Sequence, residues 1–244
     1  SASLVSALFE LGADVHVALP NYRQMFHTDV YNILSRELSK MRKKLPEERI
    51  HLAEDRLFYY RNEVYSSYHG ENPLIALAFQ REVINRIIRH VKPDLIHCND
   101  WMTGLVPAAA RSFRIPCLFT VHNIHSENLT VNQIESTGLD AAPFAQHFYY
   151  TKPPGGYFND RWNNPVDLMA SGIFAAHFIN TVSPTFLEEV VNGQHANVPP
   201  AVRSELRNKY NADCAAGILN APDASYHPTT DDALPLTYSP ETFP

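Results

Sequence analysis

Lys92-Pro93-Asp94-Leu95-Ile96-His97-Cys98-Asn99-Asp100-Trp101-Met102-Thr103-Gly104-Leu105 decides the fold of this chain. A short apolar run, Leu95 to Cys98, follows the proline and stops at polar Asn99-Asp100, and an amphipathic segment then runs from Gly104 to Arg111. That pattern predicts a buried strand, a polar turn at its C-terminal end and a helix. A second apolar run, Ile115 to Val121, closes on His122-Asn123. Strand, helix and strand at this spacing form a βαβ unit, which sets two parallel neighbours. Open parallel sheets bind ligands beyond the carboxyl ends of their strands. Asp100 and His122, at two neighbouring strand ends, are therefore the first candidates for chemistry.

Working outward, Ser1 to Leu11 places Leu4, Val5, Leu8 and Leu11 on one helical face before Gly12, and Asp14 to Leu19 alternates as a strand closed by Pro20. Residues 28 to 45 are helix-compatible. Ile50 to Tyr65 is rich in β-branched and aromatic residues, with Arg61-Asn62 as the turn of a hairpin inside Phe58 to Tyr65. Pro73 to His90 is an amphipathic helix. Beyond the organising stretch, Asn123 to Asn164 is irregular, a length of loop that points to function or disorder. Pro165 to Ala175 predicts a helix, Ala176 to Val182 a strand, and Pro184 to Asn192 and Pro199 to Tyr210 two more helices. Ser183 reads as a helix cap first and as a ligand contact second. Gly217 to Asn220 is a last short strand, and the prolines from Pro222 onward mark a tail or interdomain linker over 222–244. The expectation is an α/β, Rossmann-like domain over 1–221. Its mainly parallel central sheet would carry helices on both faces, with the strands near 15–19, 94–98, 116–121 and 177–182 as neighbours or near neighbours.

Composition narrows the function classes. The chain has 244 residues, 45% hydrophobic and 19% charged, with a net charge of −6. That balance gives ample material for a core and argues against nucleic acid as a partner. Lys40-Met41-Arg42-Lys43-Lys44 is the densest basic run and reads as a solvated helix end. No apolar run approaches the roughly 20 residues that span a bilayer. Cys98, Cys117 and Cys214 are an odd, scattered set, which suits a reducing, cytoplasmic setting. The sequence opens inside a helix, where a doubly wound fold would open with a strand and a glycine-rich turn.

Several chemistries are disfavoured by pattern. His122 and His125 are three apart, but after a strand that spacing does not converge their rings on a metal, and neither Cys-x-x-Cys nor His-Glu-x-x-His occurs. Gly-x-Ser-x-Gly and Gly-x-Gly-x-x-Gly do not occur either, and Cys98 has no Lys or Arg close by in sequence to lower its pKa. No metal or resident cofactor is expected.

His97 to Leu105, Thr120-Val121-His122-Asn123, Thr181-Val182-Ser183-Pro184-Thr185 and Gly217-Ile218-Leu219-Asn220, in this order and spacing, resemble the N-terminal half of a glycogen or starch synthase. The resemblance implies a GT-B architecture, two Rossmann-like lobes with the active site between them. It also implies retaining transfer of glucose from ADP- or UDP-glucose to an α-1,4-glucan without a metal. His122 matches the family histidine that contacts the donor glucose, Asn123 its neighbour, and Asp100 the aspartate near the sugar site. Asn99, Trp101 and Ser183 join Asn123 as candidate substrate contacts, and aromatic residues of the 144–162 loop are candidate glucan-stacking surfaces. The partner lobe would carry the groups that neutralise the diphosphate. Ala221 stands where the family usually has glycine, and 192–214 matches poorly. A related retaining transferase with another sugar or acceptor, and a non-catalytic glucan-binding module, are the competing expectations.

Overall fold

The apolar runs around the organising stretch become a four-stranded parallel sheet in the computed structural model, which describes residues 2–27, 45–68, 70–220, 227–230, 234 and 236–242. In chain order the strands are β1 (Val17–Pro20), β2 (Ile50–Ala53), β3 (Ile96–Asn99), β4 (Cys117–Val121), β5 (Asn128–Leu129), β6 (Val166–Asp167), β7 (Phe178–Thr181) and β8 (Ala215–Gly217). The sheet runs β3-β4-β7-β8, with Asn99 opposite Thr120 and Val121 opposite Thr181, so successive strand ends lie level at one edge. Side chains alternate across this sheet. Cys98, Phe119, Val121 and Ile179 are buried on one side. Against them pack the helices Val106–Ser112 and Leu168–Ala175. Burying a side chain such as Phe119 or Ile179 stabilises the fold by about 1.5–3 kcal/mol each.

Two glycines set how closely these layers approach. A Cβ on Gly104 would sit 1.9 Å from the Leu168 carbonyl oxygen, and one on Gly172 would sit 2.4 Å from the Phe119 ring. Gln80, wholly buried on the helix Glu71–Glu82, lends its side-chain oxygen to the Leu105 N–H at 2.7 Å. That bond satisfies an amide at the start of the helix Val106–Ser112 that would otherwise be buried without a partner.

Several expectations change. The strand after the first helix pairs in parallel with β2 as a separate two-stranded sheet rather than joining the main one. The hairpin expected within Phe58 to Tyr65 is not formed: Asp55 accepts the Leu57 N–H at 2.8 Å and starts the helix Arg56–Tyr59, which buries Phe58. Local capping and a buried aromatic outweigh β propensity there. The helix Ala2–Glu10 packs through Val5 and Phe9 onto Leu45, leaving Leu4, Leu8 and Leu11 exposed. The helix before β3 runs Glu71–Glu82 and Ile88–Val91 around a π turn at Val83–Ile87. The helix expected from Pro165 starts at Leu168, after β6, with Asp167 as its cap. The last strand, β8, lies at Ala215–Gly217, earlier than expected, drawn in by its pairing with β7. The 28–45 segment falls outside the described residues except for Leu45, and the described parts of 222–244 contain no helix or strand.

Two outcomes follow for stability. Gly104→Ala should lose about 2–3 kcal/mol or fail to fold, because the new methyl meets backbone rather than a movable side chain; urea unfolding of the purified variant checks it. His51, His97, His147 and His177 are each held below the ordinary 6.5, in every case chiefly by burial. The folded chain thus binds fewer protons than the unfolded one once the pH nears the ordinary histidine value. Stability should be full above that value and fall as pH drops through it. Thermal melts from about pH 7.5 down to about pH 5 should show a declining midpoint; a flat or rising one would contradict the assignment.

Candidate active site

The turn after β3 is built by short polar links. Asp100 has φ 55° and ψ 179°, a conformation that strains a non-glycine residue. It is held there because its N–H extends the ladder to the Thr120 carbonyl at 3.0 Å, while Thr103 donates its N–H to the Asp100 carbonyl at 3.0 Å. The Thr103 hydroxyl accepts from the Asn99 N–H at 2.9 Å and donates back to the Asn99 carbonyl at 2.8 Å.

This turn aims the Asp100 carboxylate across to the end of β4. Oδ1 accepts the His122 N–H at 2.7 Å and the Asn123 N–H at 3.4 Å, and Oδ2 accepts from Asn123 Nδ2 at 3.2 Å. Burial raises the Asp100 pKa, against the opposing pull of the hydrogen bonds from His122 and Asn123. The His122 ring is exposed, and its Nε2 lies 3.0 Å from Asn99 Oδ1. With that oxygen as acceptor, Nε2 carries the proton and Nδ1 is left as an acceptor. Asn123 Oδ1 in turn accepts the His125 N–H at 2.9 Å.

A second polar row runs beneath this one on the same side of the sheet. The Thr120 hydroxyl donates to Asn180 Oδ1 at 2.7 Å, so its oxygen accepts from His97 Nε2, also 2.7 Å away. Burial, followed by the charge of nearby His122, lowers the His97 pKa. His97, Thr120 and Asn180 were not singled out from the sequence. The signal was there, as polar residues at every second position of otherwise apolar strands: His97 and Asn99, Thr120 and His122.

Asp100, His122, Asn123 and Asn99 therefore converge at one edge. Trp101 does not line it; the indole is 3% exposed, edge-on to His125 at 5.5 Å, and supports the loop from below. Ser183 follows β7 at the same edge, and its Oγ accepts the Phe186 N–H at 3.2 Å, capping the helix Pro184–Val191. Cys98 and Cys117 are buried, and the Cys98 thiol is pushed up by its hydrogen bond to Cys117 and by burial, so neither suits nucleophilic attack. No group of three or more His, Cys, Asp or Glu among the described residues is placed to hold a metal ion, and no described helix is long and apolar enough to cross a membrane. What the edge offers is an oriented imidazole flanked by amides, suited to hydrogen-bonding the hydroxyls of a polar ligand.

Comparison with known families settles where the chain sits. Residues 1–198 match the starch synthase catalytic domain. The chain belongs to this family. It is 28% identical to glycogen synthase 2 of Geobacter sulfurreducens, across 98% of this chain and 51% of that protein, and 26% identical to glycogen synthase of Exiguobacterium sibiricum, across 98% and 52%. Among solved structures, the catalytic domain of starch synthase IV from Arabidopsis thaliana, bound to ADP and acarbose, superposes with a TM-score of 0.56. It shares 23% identity and covers 76% of this chain and 37% of that one, a likeness of fold. The chain spans about half the length of the curated relatives it matches.

The role of the Asp100 carboxylate as an anchor is testable on the family member itself. Asp100→Ala leaves the His122 and Asn123 amides without their acceptor and should cost about 1–3 kcal/mol. Asp100→Asn, which retains an acceptor oxygen, should recover much of that loss. Thermal or urea unfolding of both variants distinguishes them; equal losses would show that the carboxylate does not anchor the turn.

Proposed function

We propose that this chain is the N-terminal lobe of a retaining glucosyltransferase that extends an α-1,4-glucan from ADP- or UDP-glucose, with a second lobe completing the site. The observation that carries the reading is His122, exposed at the C-terminal edge of β4 and held by Asp100 through its backbone and by Asn99 through its ring. Family membership and the glycogen synthase relatives support the choice of glucosyl transfer.

Transfer from a sugar nucleotide develops positive charge at the anomeric carbon and negative charge on the departing diphosphate, as in other oxocarbenium-like glycosyl chemistry. In the proposed mechanism the His122 ring binds a hydroxyl of the donor glucose, and its strand-end backbone carbonyl faces the anomeric charge. Asn99 and Asn123 orient the sugar and the turn. Asp100 acts as a positioning residue, since its oxygens are engaged with His122 and Asn123. The diphosphate charge is met from the second lobe, so the 244-residue chain alone should not transfer glucose. Ser183 serves as a helix cap in this scheme, and Trp101 as support under the loop.

The test is glucose incorporation into glycogen from labelled ADP- and UDP-glucose by the full-length protein. His122→Ala should lower turnover by roughly 10²–10³, the scale of losing one positioned donor at a charged transition state. The melting temperature should stay nearly unchanged, because the ring is exposed and, among the described residues, hydrogen-bonded to Asn99 alone. Undiminished turnover in His122→Ala, or incorporation by the isolated chain near the full-length rate, would overturn the proposal. Glucan binding without transfer would favour the non-catalytic module.

A further inference from the structure

Two cations meet at the C-terminal end of the helix Leu168–Ala175. Arg111, in the last turn of Val106–Ser112, donates from Nε to the Ala175 carbonyl at 2.5 Å and from Nη2 to the Ala176 carbonyl at 3.5 Å. Lys209, on the helix Pro200–Asn211, donates from Nζ to the same Ala176 oxygen at 2.5 Å. A helix C-terminus attracts positive charge, but Arg111 by itself reaches both carbonyls, so Lys209 adds a second charge that capping does not require. Sharing one oxygen holds the two cations within about 6 Å of each other, close enough for like charges to repel. Both side chains are half-buried, where that repulsion is screened less than in open water.

No carboxylate neutralises the pair. The Lys and Arg salt bridges among the described residues all lie elsewhere. Glu205 acts on Lys209, but it is itself buried, its carboxyl is raised by that burial, and it accepts from Asn208 Nδ2 at 3.0 Å. Burial and then the charge of Arg111 hold the Lys209 ammonium below its ordinary value. A third donor stands beside them. His177 Nδ1 accepts the Cys117 N–H at 3.1 Å, so the ring proton of neutral His177 is on Nε2. His177 is exposed, and its pKa is lowered by burial and then by Arg111 and Lys209, which keeps the ring neutral. His147 is lowered in the same way, by burial and then by Arg111.

This cluster lies at the end of the sheet opposite the His122 edge. The His177 N–H donates to the Cys117 carbonyl at the start of β4 at 2.9 Å. His122 follows the other end of that five-residue strand, about 16 Å away at roughly 3.3 Å per residue. We propose that Arg111, Lys209 and His177 form a binding site for a phosphate group, separate from the transfer site and independent of the glucosyl-transfer reading. Arg111 Nη1 and two of the three Lys209 N–H groups have no hydrogen-bond partner among the described residues, so donors remain after the helix is capped. A tetrahedral phosphate accepts from a guanidinium, an ammonium and an imidazole N–H together. Its double negative charge matches two cations, whereas a carboxylate would answer only one. Free phosphate and a phosphate monoester share this chemistry.

Calorimetric titration of the full-length protein with inorganic phosphate, and separately with glycerol 3-phosphate, tests this in chloride buffer at constant ionic strength. Saturable binding is expected. Lys209→Gln should raise the Kd about tenfold or more, the scale of losing one charge-assisted hydrogen bond, and Lys209→Arg should restore most of the affinity. His177→Asn keeps an acceptor for the Cys117 amide, removes the Nε2 donor and should weaken binding by a smaller factor. Melting temperatures measured without either anion check that each variant is folded, and His177→Asn carries the test if Lys209→Gln is not. Tighter binding of glycerol 3-phosphate would support the site with a monoester as its ligand; tighter binding of inorganic phosphate would support it with the free ion. No saturable binding of either anion, or affinities unchanged in both Lys209→Gln and His177→Asn, would overturn the site and leave the two cations as helix caps.

Discussion

One carboxylate joins the two strand ends on which the site depends. Asp100 sits in a left-handed turn at the end of β3 and takes the backbone N–H groups of the residues that follow β4. Hydrogen bonds to a charged acceptor are among the stronger ones, so relaxing this turn would also release His122 and Asn123. The strain at Asp100 is tolerated because the surroundings over-determine it: the Thr103 hydroxyl, the Thr120 carbonyl and the buried Trp101 all hold the same loop.

That turn is coupled to the rest of the molecule by close packing. Gly104 brings the start of the next helix against the backbone carbonyl of Leu168, and Leu168 bonds through its N–H to Glu127 in the loop after β4 at 3.0 Å. Ser126 donates its hydroxyl to Asp167 at 2.5 Å and accepts the Met169 N–H at 3.0 Å. The segment following His122 is thus anchored to the same helix that packs on Phe119. Site edge and core share this helix, and these bonds tie the start of the segment between β4 and β6 to it.

The side of the sheet opposite the core explains the polar residues that interrupt its strands. His97, Thr120 and Asn180 satisfy one another in a row across three strands. Thr120 and Asn180 are buried there, and buried polar groups are stabilising only when they are partnered. The row sits one step below the Asn99–His122 pair and fixes the strands that carry it.

The parallel pairing of β3 with β4 was legible in the sequence, because apolar runs closed by polar residues and separated by a short helix permit little besides a parallel βαβ unit. The placement of Asp100 and His122 at one edge follows from the same argument, since parallel strands end on the same side. Ser183 as a cap was readable too, from a polar residue ahead of proline at a helix start. Other features depend on contacts between residues distant in the chain, which no local pattern encodes. Pairing of β1 with β2 rather than with the main sheet is one, and the helix at Arg56–Tyr59 in place of a hairpin is another, decided by where Phe58 could be buried. Trp101 going under the loop rather than into the cleft is a third. Sequence by itself determined that Asp100 and His122 follow the ends of two neighbouring parallel strands. Only the tertiary structure decided that the Asp100 carboxylate binds the backbone of its neighbour strand, because that hydrogen bond joins residues 22 positions apart and exists only once both strands are in register.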